Sequence, residues 1–120
     1  MNQDGLKNCI KIALGLKNEA DVEKYVETAN NGQKAIEFCM DNHPDLIFMD
    51  INIPVMNGYD ATTMGIRKME KSHIIIIGLT GDSQDYVKQP AEEAGMDEVQ
   101  EKPLNAKIVK ELLDTYFAKK

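Results

Sequence analysis

The sequence predicts an α/β domain built as a doubly wound parallel sheet, and three observations predict it. Helix-like and strand-like segments alternate along the chain. Two strand-like runs, Leu46-Ile47-Phe48-Met49 and Ile74–Leu79, are apolar without alternation, as a strand covered on both faces requires. Polar residues (Asp50, Thr80 and Lys102) stand at the ends of three strand-like runs, where an open parallel sheet gathers its ligand site.

The 120 residues are enough for one domain, residues 1–120, with a single core. Apolar residues make up 42% and charged residues 28%, which excludes disorder on composition. No apolar run approaches the ~20 residues of a membrane span, and the polar start offers no signal peptide. A net charge of −6 argues against a nucleic-acid surface, which needs clustered positive charge. Cys9 and Cys39 have neither CxxC nor zinc spacing and are expected as reduced, buried small side chains.

Leu6, Cys9, Ile10, Ala13 and Leu14 recur at helical spacing, and Gly15 is a natural stop, so Gln3–Leu14 is expected as a helix. The competing reading makes Ile10–Leu14 a strand. Val26–Ala29 is a short strand, followed by an Asn30-Asn31-Gly32 turn with Asn31 as helix cap. Ala35, Ile36, Cys39 and Met40 mark the inner face of the next helix, which His43-Pro44 ends. Leu46–Met49 is a buried strand closed by Asp50, and the loop Ile51–Gly58 leads to a helix over Tyr59–Lys68 with Ala61, Met64 and Ile66 inward. Ile74–Leu79 is the strongest strand. Thr80-Gly81-Asp82-Ser83 turns into a helix, capped by Asp82 or Ser83, that Pro90 should break or kink and Gly95 should end. Glu98–Glu101 is a short strand before Lys102-Pro103. Ile108, Val109, Leu112, Leu113, Tyr116 and Phe117 form one stripe of a last helix.

The chemistry concentrates at Asp50, Thr80 and Lys102. Each alone has an ordinary explanation: an aspartate after a strand is commonly a turn or cap, and a lysine before proline is commonly solvated. Three at strand ends that converge on one sheet edge are a different matter. A carboxylate can be a nucleophile that forms an aspartyl phosphate. A hydroxyl and an ammonium can hold and neutralise the phosphoryl oxygens.

The run from Asp45 through Asp50, Pro54 and Gly58 is very similar to the phosphoacceptor segment of response regulator receiver domains in two-component systems. Pro54 and Gly58 fall four and eight positions after Asp50, Thr80 falls 30 after it and Lys102 52 after it, all as in that family. The segments Thr28–Ala35 and Ala94–Asp97 resemble it as well. The resemblance implies a flavodoxin-like receiver fold in which Asp50 accepts a phosphoryl group from a phosphohistidine on a histidine kinase or histidine phosphotransfer domain. It implies that Asn52 offers its backbone carbonyl to Mg²⁺, beside Asp50. Thr80 would bond a phosphoryl oxygen and Lys102 would pair with Asp50 and then with the phosphate. Gly81 would leave room for the donor. Location in the cytoplasm, free or tethered within a membrane-bound hybrid histidine kinase, is the matching expectation.

The sequence departs from that family in two places. Receivers begin with a central strand ending in an acidic pair that binds Mg²⁺, whereas Asn2–Leu6 resembles the start of the first helix. The first central strand and its acids are therefore expected to be missing, with Asp4 a first-turn helix acid. Mg²⁺ should then bind weakly, and two strand edges should be left unpaired inside the sheet. Val99 stands where many receivers carry an aromatic residue that turns inward on phosphorylation. This favours a relay within a hybrid kinase over a dimerising output domain. The alternatives are a degenerate receiver that binds partners without phosphate and an unrelated aspartate-based phosphatase. Against the phosphatase, Asp50-Ile51-Asn52 is not DxD and no glycine-rich phosphate loop is present.

Overall fold

A computed structural model of the chain describes residues 3–18, 20–22, 26–29, 32–41, 44–51, 74–81, 84–102 and 104–117. The expected helix over Tyr59–Lys68, the Asn30-Asn31 turn, Pro54, Gly58, the Asp82/Ser83 cap and Pro103 lie outside these residues, as does the side chain of Asp4. In order, the elements are α1 (Gln3–Leu14), β1 (Val26–Ala29), α2 (Gly32–Asp41), β2 (Leu46–Asp50), β3 (Ile75–Thr80), α3 (Gln84–Ala94), β4 (Glu98–Glu101) and α4 (Ala106–Phe117). The helical reading of Gln3–Leu14 holds, and Ile10–Leu14 is not a strand.

The four strands form one parallel sheet in the order β1-β2-β3-β4. Among the described residues no strand lies between β1 and β2. The expected consequence, two unpaired edges, is nevertheless corrected: Val26–Ala29 pairs directly with Leu46–Met49, residue for residue. A parallel ladder is evenly spaced, so either strand can serve the other as a neighbour without loss of backbone partners.

Side chains alternate along each strand and feed two cores. Ile47, Met49, Ile51, Ile76 and Val99 join Ala35 and Cys39 of α2, Ala91 of α3 and Met96. Leu46, Phe48, Ile77 and Leu79 join Ile10 of α1, Val22, Leu104, and Val109, Leu112 and Leu113 of α4. Right-handed crossovers between strands taken in sequence order put their helices on one face. The opposite face is covered by α1 and α4, which precede the first strand and follow the last. Each buried Leu, Ile or Phe contributes roughly 1.5–3 kcal/mol.

Both ends of this framework are set locally. α1 and α3 each stop in a Schellman motif: Gly15 (φ 71°) and Gly95 (φ 101°) adopt the left-handed backbone. Leu16 N–H donates to Lys11 C=O, and Met96 N–H to Ala91 C=O, both at 2.9 Å. Asn105 caps α4, its Oδ1 accepting the Ile108 N–H at 2.9 Å.

Two expectations fail, and a third is narrowed: of the break or kink expected at Pro90 the break is excluded, because α3 runs through it. The ring lies on the exposed side, and Ala91 and Ala94 pack beneath the turn that it weakens. Met40 is 66% exposed and Phe117 42% exposed. Both obey the helical spacing but fall in the last turn of their helices.

Candidate functional site at the carboxyl edge of the sheet

β2, β3 and β4 are neighbours, so their carboxyl ends adjoin. Asp50 is the last residue of β2, Thr80 the last of β3, and Lys102 follows β4. β2 carries only apolar residues before Asp50, all buried on two faces, so a charge can enter this strand only where it reaches the rim. Asp50 lies opposite Leu79, and the Ile51 N–H donates to the Leu79 carbonyl at 3.0 Å. Thr80 lies opposite Glu101 and is completely buried.

Lys102 connects the three strand ends. Its backbone N–H donates to the Thr80 carbonyl at 2.7 Å. Its Nζ donates to Asp50 Oδ2 at 2.6 Å, forming an ion pair between residues 52 apart in the chain. Each of the two side chains keeps 25% exposure. The pair is thus shielded enough to be stronger than an open surface contact and open enough to meet a second molecule. Gly81 follows Thr80, is exposed, and has no described atom within 4 Å of where a Cβ would stand.

Of the sequence-derived residues, Asp50 and Lys102 are in contact and Thr80 is tied to Lys102 through the main chain. Asn52 lies outside the described residues. Val99 is buried in the α2–α3 core, beside Ala91 and Met96.

The donor set can be compared with what Mg²⁺ requires, six oxygens in near-octahedral array. Among the described residues no group of three or more His, Cys, Asp or Glu side chains could hold a metal ion. Asp50 already gives one oxygen to an ammonium. Glu101, a described acid at this edge, is exposed at the end of the outer strand.

Residues that support the site were not singled out from sequence. Gly78 faces Met96 and Ile51 so closely that a Cβ would stand 2.8 Å from Met96 Sδ and 3.1 Å from Ile51 Cδ1. It therefore sets the position of the residue next to Asp50. A glycine inside a strand that opens on three isoleucines was the available signal. Asp97 brackets the start of β3: its Oδ2 accepts the Ile76 N–H at 2.8 Å and its N–H donates to the Ile76 carbonyl at 2.9 Å. At the outer strand, Glu98 accepts hydrogen bonds from Tyr116 Oη at 2.9 Å and Gln100 Nε2 at 2.6 Å. Burial, then the Glu98 carboxylate, push the Tyr116 hydroxyl up to about 12.

Comparison with known proteins follows from this geometry. A family model described as the response regulator receiver domain matches residues 4–114. The hybrid signal transduction histidine kinase M of Dictyostelium discoideum is 37% identical over 117 residues, covering 92% of this chain and 5% of the kinase. The chain likewise spans 9% and 6% of the other kinases first among its relatives. The receiver domain of sensor histidine kinase PA1611 from Pseudomonas aeruginosa, solved with a magnesium ion coordinated in its active-site cleft, superposes with a TM-score of 0.72. It is 22% identical, with 95% of this chain and 87% of that chain covered. A chain of the co-crystal structure of the Saccharomyces cerevisiae histidine phosphotransfer signaling protein Ypd1 and the receiver domain of its downstream response regulator Ssk1 gives a TM-score of 0.67 at 21% identity, covering 77% of this chain and 86% of that chain. At these identities the two structures establish the fold.

Proposed function

This chain belongs to the response regulator receiver domain family, and on that premise we propose that Asp50 accepts a phosphoryl group from a phosphohistidine in a His–Asp phosphorelay. The observation that carries this reading is the Asp50–Lys102 ion pair, closed at 2.6 Å across 52 residues at the strand ends. A carboxylate oxygen of Asp50 forms the new P–O bond as the P–N bond of the phosphohistidine breaks. The imidazole leaves with the electron pair and takes up a proton. The acyl phosphate carries about −1.5 to −2 charges, and the Lys102 ammonium turns to neutralise it. The Thr80 hydroxyl donates to a phosphoryl oxygen, and the opening above Gly81 admits the donor. The domain is a signalling switch and not a turnover catalyst.

The partner is a histidine kinase or histidine phosphotransfer domain, as the pairing of Ypd1 with the Ssk1 receiver supports. Hybrid and sensor kinases among the relatives support a relay within such a kinase. So does Val99, which has no ring to rotate inward when Thr80 moves. Among the described residues no helix is long and apolar enough to cross a membrane. Mg²⁺ is held at Asp50 and the Asn52 carbonyl, a reading that the magnesium ion in the cleft of the PA1611 receiver supports. The intact ion pair disfavours a receiver that works without phosphate.

The test is labelling with acetyl phosphate, read by intact mass. The wild-type chain gains one phosphoryl group and Asp50→Asn gains none while keeping its circular dichroism. Equal labelling of the two would remove Asp50 from the reaction.

A further inference from the structure

We propose that Met96 is a positioning residue for phosphoryl acceptance: its thioether holds the Ile51 side chain over Gly78 and so keeps the carboxylate of Asp50 aligned with its donor. This deepens the acceptor reading and rests on it. Asp50 is the last residue of β2, so the ladder that fixes the strand ends with it. Ile51 comes next and is held from two sides. Its N–H donates to the Leu79 carbonyl at 3.0 Å. Its side chain lies over Gly78, where Ile51 Cδ1 and Met96 Sδ stand 3.1 and 2.8 Å from the place of a single methyl group. The two side chains thus close on one space, which the glycine leaves free. Both residues are buried.

Met96 can serve as an anchor because its own backbone is fixed. Its N–H donates to the Ala91 carbonyl at 2.9 Å, in the motif that ends α3. The next residue, Asp97, is tied to Ile76 in both directions, at 2.8 and 2.9 Å. The side chain therefore reaches from a fixed point beside the start of β3 to Gly78 and to the residue that follows Asp50. An unbranched thioether has the length and adaptability for that reach. The consequence is chemical because the site tolerates little displacement. Lys102 Nζ meets Asp50 Oδ2 at 2.6 Å, and attack on phosphorus needs the carboxylate oxygen in line with the breaking P–N bond. A misplacement of about 1 Å costs a reaction about 100-fold.

The test is transfer from a phosphorylated histidine phosphotransfer domain to the full chain over a range of donor concentrations, with acetyl phosphate as a second donor. Met96→Val ends at the γ position and cannot fill the place of the sulfur, whereas Met96→Leu keeps an atom at the δ position. Met96→Val lowers the limiting rate about tenfold, as a shift of a fraction of an ångström would. The half-saturating concentration of the phosphotransfer domain stays unchanged, because a buried residue does not meet the donor. The rate falls by the same factor with both donors, because the fault lies at the acceptor. Met96→Leu retains the wild-type rate. Ile51→Val, which removes the Cδ1 over Gly78, reproduces the loss, and the two valine substitutions together do not compound it. Val22→Ala opens the core on the other face of the sheet, before β1; it lowers stability without slowing transfer. Wild-type rates in Met96→Val overturn the inference and leave the acceptor reading standing. So does a loss that Met96→Leu shares or that Val22→Ala matches, since either makes the effect one of general packing. Where Met96→Val loses its circular dichroism, Ile51→Val decides, and an unchanged limiting rate in that variant overturns the inference. A wild-type chain that accepts from neither donor overturns the acceptor reading and this inference together.

Discussion

Gly78→Ala tests how the sheet carries the acceptor. The added methyl would stand 2.8 Å from Met96 Sδ and 3.1 and 3.3 Å from two carbons of Ile51. Ordinary contacts between such atoms are about 3.5–4.0 Å, so the sulfur must retreat by about 1 Å. Methionine is flexible, but Met96 is buried, and Ile51 is both buried and β-branched. Overpacking of this kind costs about 1–3 kcal/mol. Removing glycine from a strand returns about 0.5–1 kcal/mol of backbone entropy. The net expectation is a loss of about 0.5–2 kcal/mol in urea unfolding and a Tm lower by several degrees. Ile51 follows Asp50 directly, so labelling of Asp50 by acetyl phosphate should slow as well. Shortening Met96 to Ala in the same chain should reduce the cost of Gly78→Ala, with a coupling of about 1 kcal/mol. A neutral or stabilising Gly78→Ala, or strict additivity with Met96→Ala, would refute the packing argument.

Further outcomes follow from other contacts. Lys102→Ala should cost about 1 kcal/mol or less in chemical unfolding, because both partners of its ion pair remain partly hydrated; it should also remove the stabilisation gained on fluoroberyllate binding, and an unaltered gain would separate the two residues. Tyr116 has a hydroxyl raised above its usual range, so the folded state holds this proton between pH 10 and about 12. Its contribution to stability is full below pH 10 and is lost as pH rises through that window, on the order of 1 kcal/mol after allowance for solvent. Tyr116→Phe should flatten that part of the stability–pH curve, and an unchanged curve would contradict the assignment. Amide hydrogen exchange should show the β1 amides that face β2 protected along with those of β3, and exchange of β1 at the rate of an open loop would contradict direct β1–β2 pairing.

The parts of the fold that were legible in the sequence are those where one local rule decides. Leu46–Met49 and Ile75–Leu79 are apolar on both faces, and only a covered parallel sheet accepts such strands. Asp50, Thr80 and Lys102 were legible because a polar group after a buried strand has only the rim to occupy. Gly15 and Gly95 stop their helices as their left-handed backbones require. Met40 and Phe117 were misplaced because periodicity fixes a helix face but not how well the last turn of the helix is covered. That α3 continues through Pro90 was not legible, because the lost backbone bond is visible in sequence, whereas the packing of Ala91 and Ala94 is not. The expected gap followed from matching the chain to a five-strand frame. It did not allow for β1 moving over to β2 in a register that keeps its alternation. Tyr116 with Glu98, and Asp97 with Ile76, join residues 18 and 21 apart without any periodic signal.

The central claim is that Asp50 receives a phosphoryl group from histidine. The direct measurement is transfer from a phosphorylated histidine phosphotransfer domain to this chain, followed by borohydride reduction and peptide mass spectrometry. Reduction converts an aspartyl phosphate to homoserine, so homoserine at position 50, and at no other acid, is the expected result. An unreduced Asp50 beside a fully dephosphorylated donor, or homoserine at another position, would contradict the account.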